Sequence, residues 1–205
     1  MLEEEIMKSA VKLSDFISTK GFESITKRKP YYHMGATITD SILQAGINYQ
    51  YVVYPRVQRI LQEFPDYITT CDFLILMQTV PLNELINWRN EIKQNLIKQL
   101  SWFFFEQKIE DENLLASWLN HDANIKLLFQ IKGIGFKTID YLKMLSGNQA
   151  IAVDRHLYKF LNMAGITVQT YQQASQIYSK TAEILKISKY ELDKQIWLYM
   201  SSTRR

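Results

Sequence analysis

Two residues in this sequence have both the type and the setting to do chemistry. Lys137 follows Gly133, Ile134 and Gly135 in the stretch "LLFQIKGIGFKTIDYLKML", and Asp154, seventeen positions further on, stands in "AIAVDRHLYKFLNMAG". A lysine amine attacks an electrophilic carbon only when unprotonated, and its ordinary pKa near 10.4 means that its surroundings must lower that value before it works at neutral pH. A carboxylate held in one place stabilises a developing positive charge or helps to move a proton. Each residue also has an ordinary explanation, Lys137 as a surface charge and Asp154 as the cap of a helix.

The elements that must position these residues are helices. Around Lys137 the apolar residues predict two helices joined by a tight hairpin, with Leu128 and Ile131 closing the first and Ile139, Leu142 and Leu145 turned inward on the second. Gly133 and Gly135 are expected to take up backbone conformations that side-chained residues resist, and to let the main chain approach another surface closely. Unpaired amides at the start of the second helix suit an anion, so phosphate is one candidate for that surface, and a plain helical hairpin is the alternative. Asp154 stands where a cap belongs, with Leu157, Phe160, Leu161 and Ala164 forming the face behind it and Gly165 placed to end the helix. The apolar approach from Ala150 to Val153 would bury the segment leading to that cap.

Helical spacing continues along the chain. Ile6, Ala10, Leu13 and Ile17 predict one face, Ile92, Leu96, Leu100 and Phe103 another, and Tyr171, Ala174, Tyr178 and Leu185 a third. Thr170 with Gln173, and Ser188 with Glu191, match capping boxes. The best strand-like run, "NYQYVVYP", lacks a partner at hairpin distance and ends in a proline suited to opening the next helix. The expected fold class is all-α, with about ten helices. In "SWFFFEQ", Phe103 and Phe104 continue an apolar face and are expected in the core with Trp118.

Composition narrows the classes of function. At 205 residues and 47% hydrophobic, the chain can bury a substantial core. No run approaches the roughly eighteen apolar residues of a membrane span, and "MLEEEIMK" is acidic where a signal peptide is basic, so the expectation is a cytoplasmic protein. The single cysteine, Cys71, excludes an internal disulfide and a cysteine-ligated iron–sulfur cluster. His33, His121 and His156 lack metal-ligand spacing, and no metal site is expected. The formal charge of +3 is compatible with a polyanionic partner without requiring one. In "TKRKPYYH", residues 26–33, three cations beside two tyrosines suit phosphates and stacked bases, or simply a solvated loop.

The hairpin "IKGIGFKTI" followed by "VDRH" resembles the helix-hairpin-helix DNA glycosylase superfamily, most closely its endonuclease III-like branch. That family pairs a Leu-Pro-Gly-Val-Gly-Arg-Lys-Thr-Ala-type hairpin with a Val-Asp-x-His element at a similar separation. "SILQAGINY" resembles its Gln-containing segment, and "IWLYM" falls where the family has a late Trp-containing helix. Lys132 replaces a frequent proline and Ile139 a frequent alanine. The C-terminal cysteines of many members are missing, which would place the chain among those without an iron–sulfur cluster.

The resemblance implies a base-excision repair glycosylase acting on double-stranded DNA that carries a damaged or mismatched base. A nucleotide would be flipped out of the duplex. Lys137 would attack the sugar C1′, and the resulting Schiff base would permit elimination of the 3′ phosphate, an AP lyase activity. Asp154 would stabilise the positive sugar. Gly133, Ile134 and Gly135, with Thr138, would grip a phosphate, aided by a monovalent cation on hairpin carbonyls; no other cofactor is implied. Gln44 would fill the gap left by the flipped base, although a polar helix end explains it equally well. Arg155 would reach a phosphate or solvent, and His156 would support Asp154 from behind. The implied architecture has two helical lobes, residues 31–147 ending in the hairpin and residues 1–30 with 148–205 carrying Asp154, with the cleft between them. The implied protein is a monomer associated with the nucleoid and not with a membrane. Two other readings stay open: a glycosylase that removes a base without cutting the strand, and a non-catalytic helix-hairpin-helix DNA-binding protein.

Overall fold

A computed structural model describes residues 3–26 and 29–202, in which every regular element is helical. The chain divides into two compact units, Lys29–Asn148 and Met1–Arg28 with Gln149–Arg205.

The unit Lys29–Asn148 is built around α2, Met34–Leu43, whose ten residues are all buried. A helix buried on every side can only be central, even though Thr37, Thr39, Asp40 and Ser41 make part of it polar. His33 caps it by accepting the Ala36 amide at 3.3 Å. Round it stand α3 (Tyr54–Glu63), α4 (Thr70–Thr79), the short α5 (Leu82–Leu85), α6 (Glu91–Glu106), α7 (Glu112–Trp118), α8 (Asp122–Leu128) and α9 (Phe136–Leu145). The buried Glu112 of α7 ties the start of α2 by accepting the His33 amide at 2.9 Å and the Thr37 hydroxyl at 2.7 Å. The "NYQYVVYP" run is not a strand: Tyr49–Val53 is a π-helical turn leading into α3, which has Pro55 in its first turn, where a missing amide costs nothing.

The face expected on α6 is displaced. Ile92 is 78% exposed, and the buried residues are Ile97, Leu100, Ser101 and Phe104. The apolar positions on this helix form two overlapping stripes, and the inner one includes a serine whose hydroxyl is satisfied by the Ile97 carbonyl at 2.9 Å. Phe103 packs edge-on against Trp118, centroids 5.6 Å apart, and Phe104 is fully buried.

The second unit packs α1 (Glu3–Ser18) along α11 (Tyr171–Leu185), and α10 (Arg155–Met163) against α12 (Lys189–Ser202). Ile6, Ala10, Leu13 and Ile17 of α1 are buried as their spacing predicts. Thr170 and Gln173 form a complete capping box. The box expected at Ser188 is half formed: Ser188 accepts the Glu191 amide at 3.0 Å, but the Glu191 carboxylate turns away to accept from Ser24 Oγ and the Ile25 amide. Those donors lie about 165 positions away in the chain, beyond the reach of any local pattern. With twelve α-helices among the described residues, the structure exceeds the expected ten, because α5, α7 and α8 are too short to show a clear period.

Candidate functional site

The hairpin joins α8 to α9 through residues 129–135. Its two glycines differ. Gly133 has φ +101°, a backbone region that side-chained residues rarely occupy, and a Cβ there would sit 3.3 Å from Leu96. Gly135 is extended, with φ −122° and ψ 179°, and a Cβ would meet nothing within 4 Å. The expectation that both glycines serve an unusual conformation is therefore corrected for Gly135. Ile134 between them is buried, and its amide, expected on a phosphate, donates to the Ile131 carbonyl at 3.0 Å. The first main-chain bond within α9 runs from Ile139 to the Gly135 carbonyl at 3.1 Å, so the helix begins at Gly135 without a capping side chain. Thr138 lies in that first turn and is 7% exposed, which leaves its side chain to packing. Phe129 and Phe136, both partly exposed, flank the hairpin edge to face at 4.7 Å.

Lys137 lies in the first turn of α9, where that helix packs on α2. Its Nζ donates to Gln44 Oε1 at 2.6 Å, while Gln44 Nε2 donates to the Ser41 carbonyl at 3.2 Å. Two residues proposed from separate parts of the sequence are thus in direct contact. One helical turn further along both partners is a second rung: Tyr141 donates to Asp40 at 3.2 and 3.3 Å. Asp40 is fully buried and also accepts the Tyr31 hydroxyl at 2.8 Å and the Tyr49 hydroxyl at 3.5 Å. Several donors are what a buried carboxylate needs to offset its lost hydration.

Lys93, unanticipated from the sequence, joins this end of α2. Its Nζ donates to the Ile42 carbonyl at 2.7 Å, satisfying one of the acceptors that a helix leaves unpaired at its C-terminus. Burial, and then the positive charge of Lys137, hold the Lys93 ammonium below the ordinary lysine range. Nothing in the local sequence marks Lys93. Asp40 did carry a signal, being the one charged residue in the otherwise uncharged run "MGATITDSIL".

In the other unit, Asp154 caps α10 in full. Its Oδ1 accepts the amides of His156 at 2.7 Å and Leu157 at 3.1 Å, and its Oδ2 lies 3.3 Å from His156 Nδ1. The carboxylate keeps 18% of its surface. The approach from Ala150 to Val153 is buried and pinned: the Ala152 amide donates to Asp193 at 3.1 Å, and the Val153 amide to Tyr171 Oη at 3.2 Å. His156 is buried beside Trp197, ring centroids 6.4 Å apart, and Arg155 is exposed. Tyr178 is tied to the Leu157 carbonyl at 2.7 Å. Its phenol is pushed well above its ordinary range by burial first, then by the charges of Asp193 and Asp154. Of the basic cluster at 26–33, Lys27 and Arg28 lie outside the described residues, and Tyr31 belongs to the Asp40 cluster. Among the described residues no group of three or more histidine, cysteine or acidic side chains is arranged to hold a metal ion, and no helix is long and apolar enough to cross a membrane.

A family model described as a domain of unknown function (DUF8548) matches residues 121–201, which run from the start of α8 to the end of α12 and include both Lys137 and Asp154. It covers less than half of the chain. No curated protein sequence is significantly similar. Among solved structures, the chain is similar to a 3-methyladenine DNA glycosylase of H. pylori (MagIII) bound to 1,N6-ethenoadenine. The TM-score is 0.59 at 16% sequence identity, over 98% of this chain and 99% of that one. At that identity the likeness is one of fold, and it extends over essentially the whole of both chains. The chain therefore has the all-helical fold of a helix-hairpin-helix DNA glycosylase.

Proposed function

We propose that the protein is a base-excision DNA glycosylase that also cuts the strand at the resulting abasic site, with Lys137 as nucleophile. The observation that carries this reading is the position of Lys137 in the first turn of the hairpin's second helix, with its Nζ drawn to Gln44 at the end of α2. A lysine serving only as a surface charge has no need of a partner 93 positions away. The glycosylase fold and the rigid setting of Asp154 support the same reading.

In the proposed reaction the target nucleotide is rotated out of the duplex. As the bond between base and C1′ breaks, its electron pair leaves with the base, and positive charge grows on the sugar. Asp154 stabilises that charge. Its Oδ1 is committed to two amides, so the carboxylate cannot swing to follow the charge and stays oriented for it. The unprotonated amine of Lys137 adds to C1′, and loss of the ring oxygen bond gives an iminium. Removal of a proton from C2′ then expels the 3′ phosphate, and water hydrolyses the imine to release the lysine. Duplex is held by amides of the α9 start rather than by Ile134, whose amide is engaged inside the hairpin. The carbonyls of Leu128, Ile131 and Gly135 each already accept a main-chain amide, and no step of this chemistry runs through a hairpin cation.

The test is a panel of duplexes, each with one damaged or mismatched base, assayed separately for base release and strand cleavage, with borohydride added to reduce the imine. Wild type should cleave one or more of them and leave a covalent adduct. Lys137→Gln should retain duplex binding and lose both cleavage and adduct. An adduct at wild-type yield in the variant would assign the nucleophile to another amine, and base release without any adduct would favour a glycosylase in which Asp154 activates water.

A further inference from the structure

We infer that Lys93 is a positioning residue that acts through Lys137: two ammonium groups gathered at the C-terminal end of α2 repel one another, and the repulsion favours the unprotonated, attacking form of Lys137. This rests on the role proposed above for Lys137. The geometry is specific. Lys93 reaches from the first turn of α6 to the Ile42 carbonyl at 2.7 Å, and Lys137 reaches from the first turn of α9 to the Gln44 side chain at 2.6 Å, two residues along. The two lysines come from helices that both pack on α2, so the same helix end draws both charges together. The same repulsion acts on the other partner, where burial and then the charge of Lys137 hold Lys93 below its ordinary range. A Coulomb repulsion acts equally on both partners.

Other charges on the packed elements act on Lys137 as well, and variants at Lys93 alone isolate the repulsion from them. Asp40, one turn back along α2, works against the repulsion, and its carboxylate also accepts the hydroxyls of Tyr31, Tyr49 and Tyr141. On α9, Asp140 pairs with Lys143 at 3.8 Å. On α7, Glu112 is occupied by the His33 amide and the Thr37 hydroxyl. On α4, Asp72 is held in the capping box of Thr69. Glu91, in the first turn of α6, is exposed, where solvent screens it. On α3, Arg56 carries a like charge but is spent on the carbonyls of Val52 and Asn87.

The experiment uses the full chain without DNA. Brief exposure to acetic anhydride at a series of pH values, read at Lys137 by peptide mass spectrometry, gives the midpoint at which its amine becomes reactive. Lys93→Met removes the charge and keeps the side-chain length, and Lys93→Arg keeps the charge; circular dichroism checks that each is folded. The expected midpoint for Lys137 is about one pH unit higher in Lys93→Met than in wild type, a roughly tenfold loss of reactive amine below it. Lys93→Arg should match wild type, and the difference should shrink as salt is raised. An unmoved midpoint in Lys93→Met overturns the inference. So does a Lys93→Arg midpoint equal to that of Lys93→Met, which would assign Lys93 to closing α2 alone. Because labelling needs neither duplex nor turnover, a wild type that forms no borohydride adduct would defeat the nucleophile role of Lys137 separately.

Discussion

Asp154 holds two roles at one carboxylate, and its two oxygens divide them. Oδ1 satisfies two amides at the start of α10, while Oδ2 faces His156 Nδ1 at 3.3 Å. Asparagine keeps a capping oxygen and loses the charge, so Asp154→Asn should cost less than about 1 kcal/mol of stability. Loss of the charge that opposes the cationic sugar should lower base release by about a hundredfold or more. Thermal melting and single-turnover base release, measured on the same preparation, check this. A fall in melting temperature that accounts for the lost activity would reduce Asp154 to a cap.

At the scale of the element, the hairpin separates two functions that its Gly-Ile-Gly sequence runs together. Gly133 is required by its own backbone: alanine at φ +101° is strained and presses on Leu96, so Gly133→Ala should cost about 1–3 kcal/mol whatever the ligand. Gly135 has an extended backbone and open space where a Cβ would go, so nothing within the fold requires glycine. If the main chain there lies against phosphate, Gly135→Ala should leave the melting temperature near wild type and weaken duplex binding several-fold. The loss should be equal for damaged and undamaged DNA, because phosphate contacts carry no sequence. The slope of affinity against salt should change little, since no cation is removed. A Gly135→Ala variant that binds duplex as tightly as wild type would take the hairpin out of the interface.

Across the whole molecule, the unit that carries Asp154 is assembled from both ends of the chain. Helix α1 lies along α11, where the Thr181 hydroxyl is shared between the Ala10 and Ile177 carbonyls at 3.3 and 2.8 Å, and Lys12 reaches the Gly165 carbonyl at 2.8 Å. Ala10 is fully buried at this contact. Ala10→Leu should therefore overpack it and destabilise the chain by about 1–3 kcal/mol, although residue 10 is far from Asp154 in sequence. Chemical denaturation followed by circular dichroism measures the loss, and unchanged stability would mean that α1 is loosely held.

The sequence by itself determined whatever depends on local rules. Period and burial agree in α1, α10 and α11, the Thr170 box and the Asp154 cap formed where their side chains predicted, and Pro55 opened α3, because each is set by residues three or four positions apart. The same locality explains the misses. Two overlapping stripes on α6 satisfy one period, and only the partner helices choose between them, so Ile92 lies outside and Ile97 inside. Glu191 left its box for donors at the far end of the chain. At the candidate site, Lys137 and Gln44 were legible as separate residues, but their contact, the approach of Lys93 and the gathering of three tyrosines on Asp40 arise only where α2, α6 and α9 pack together. Groups separated by fifty or a hundred positions meet through the fold alone, and the electrostatics that decide whether a lysine can attack are therefore a property of the tertiary structure.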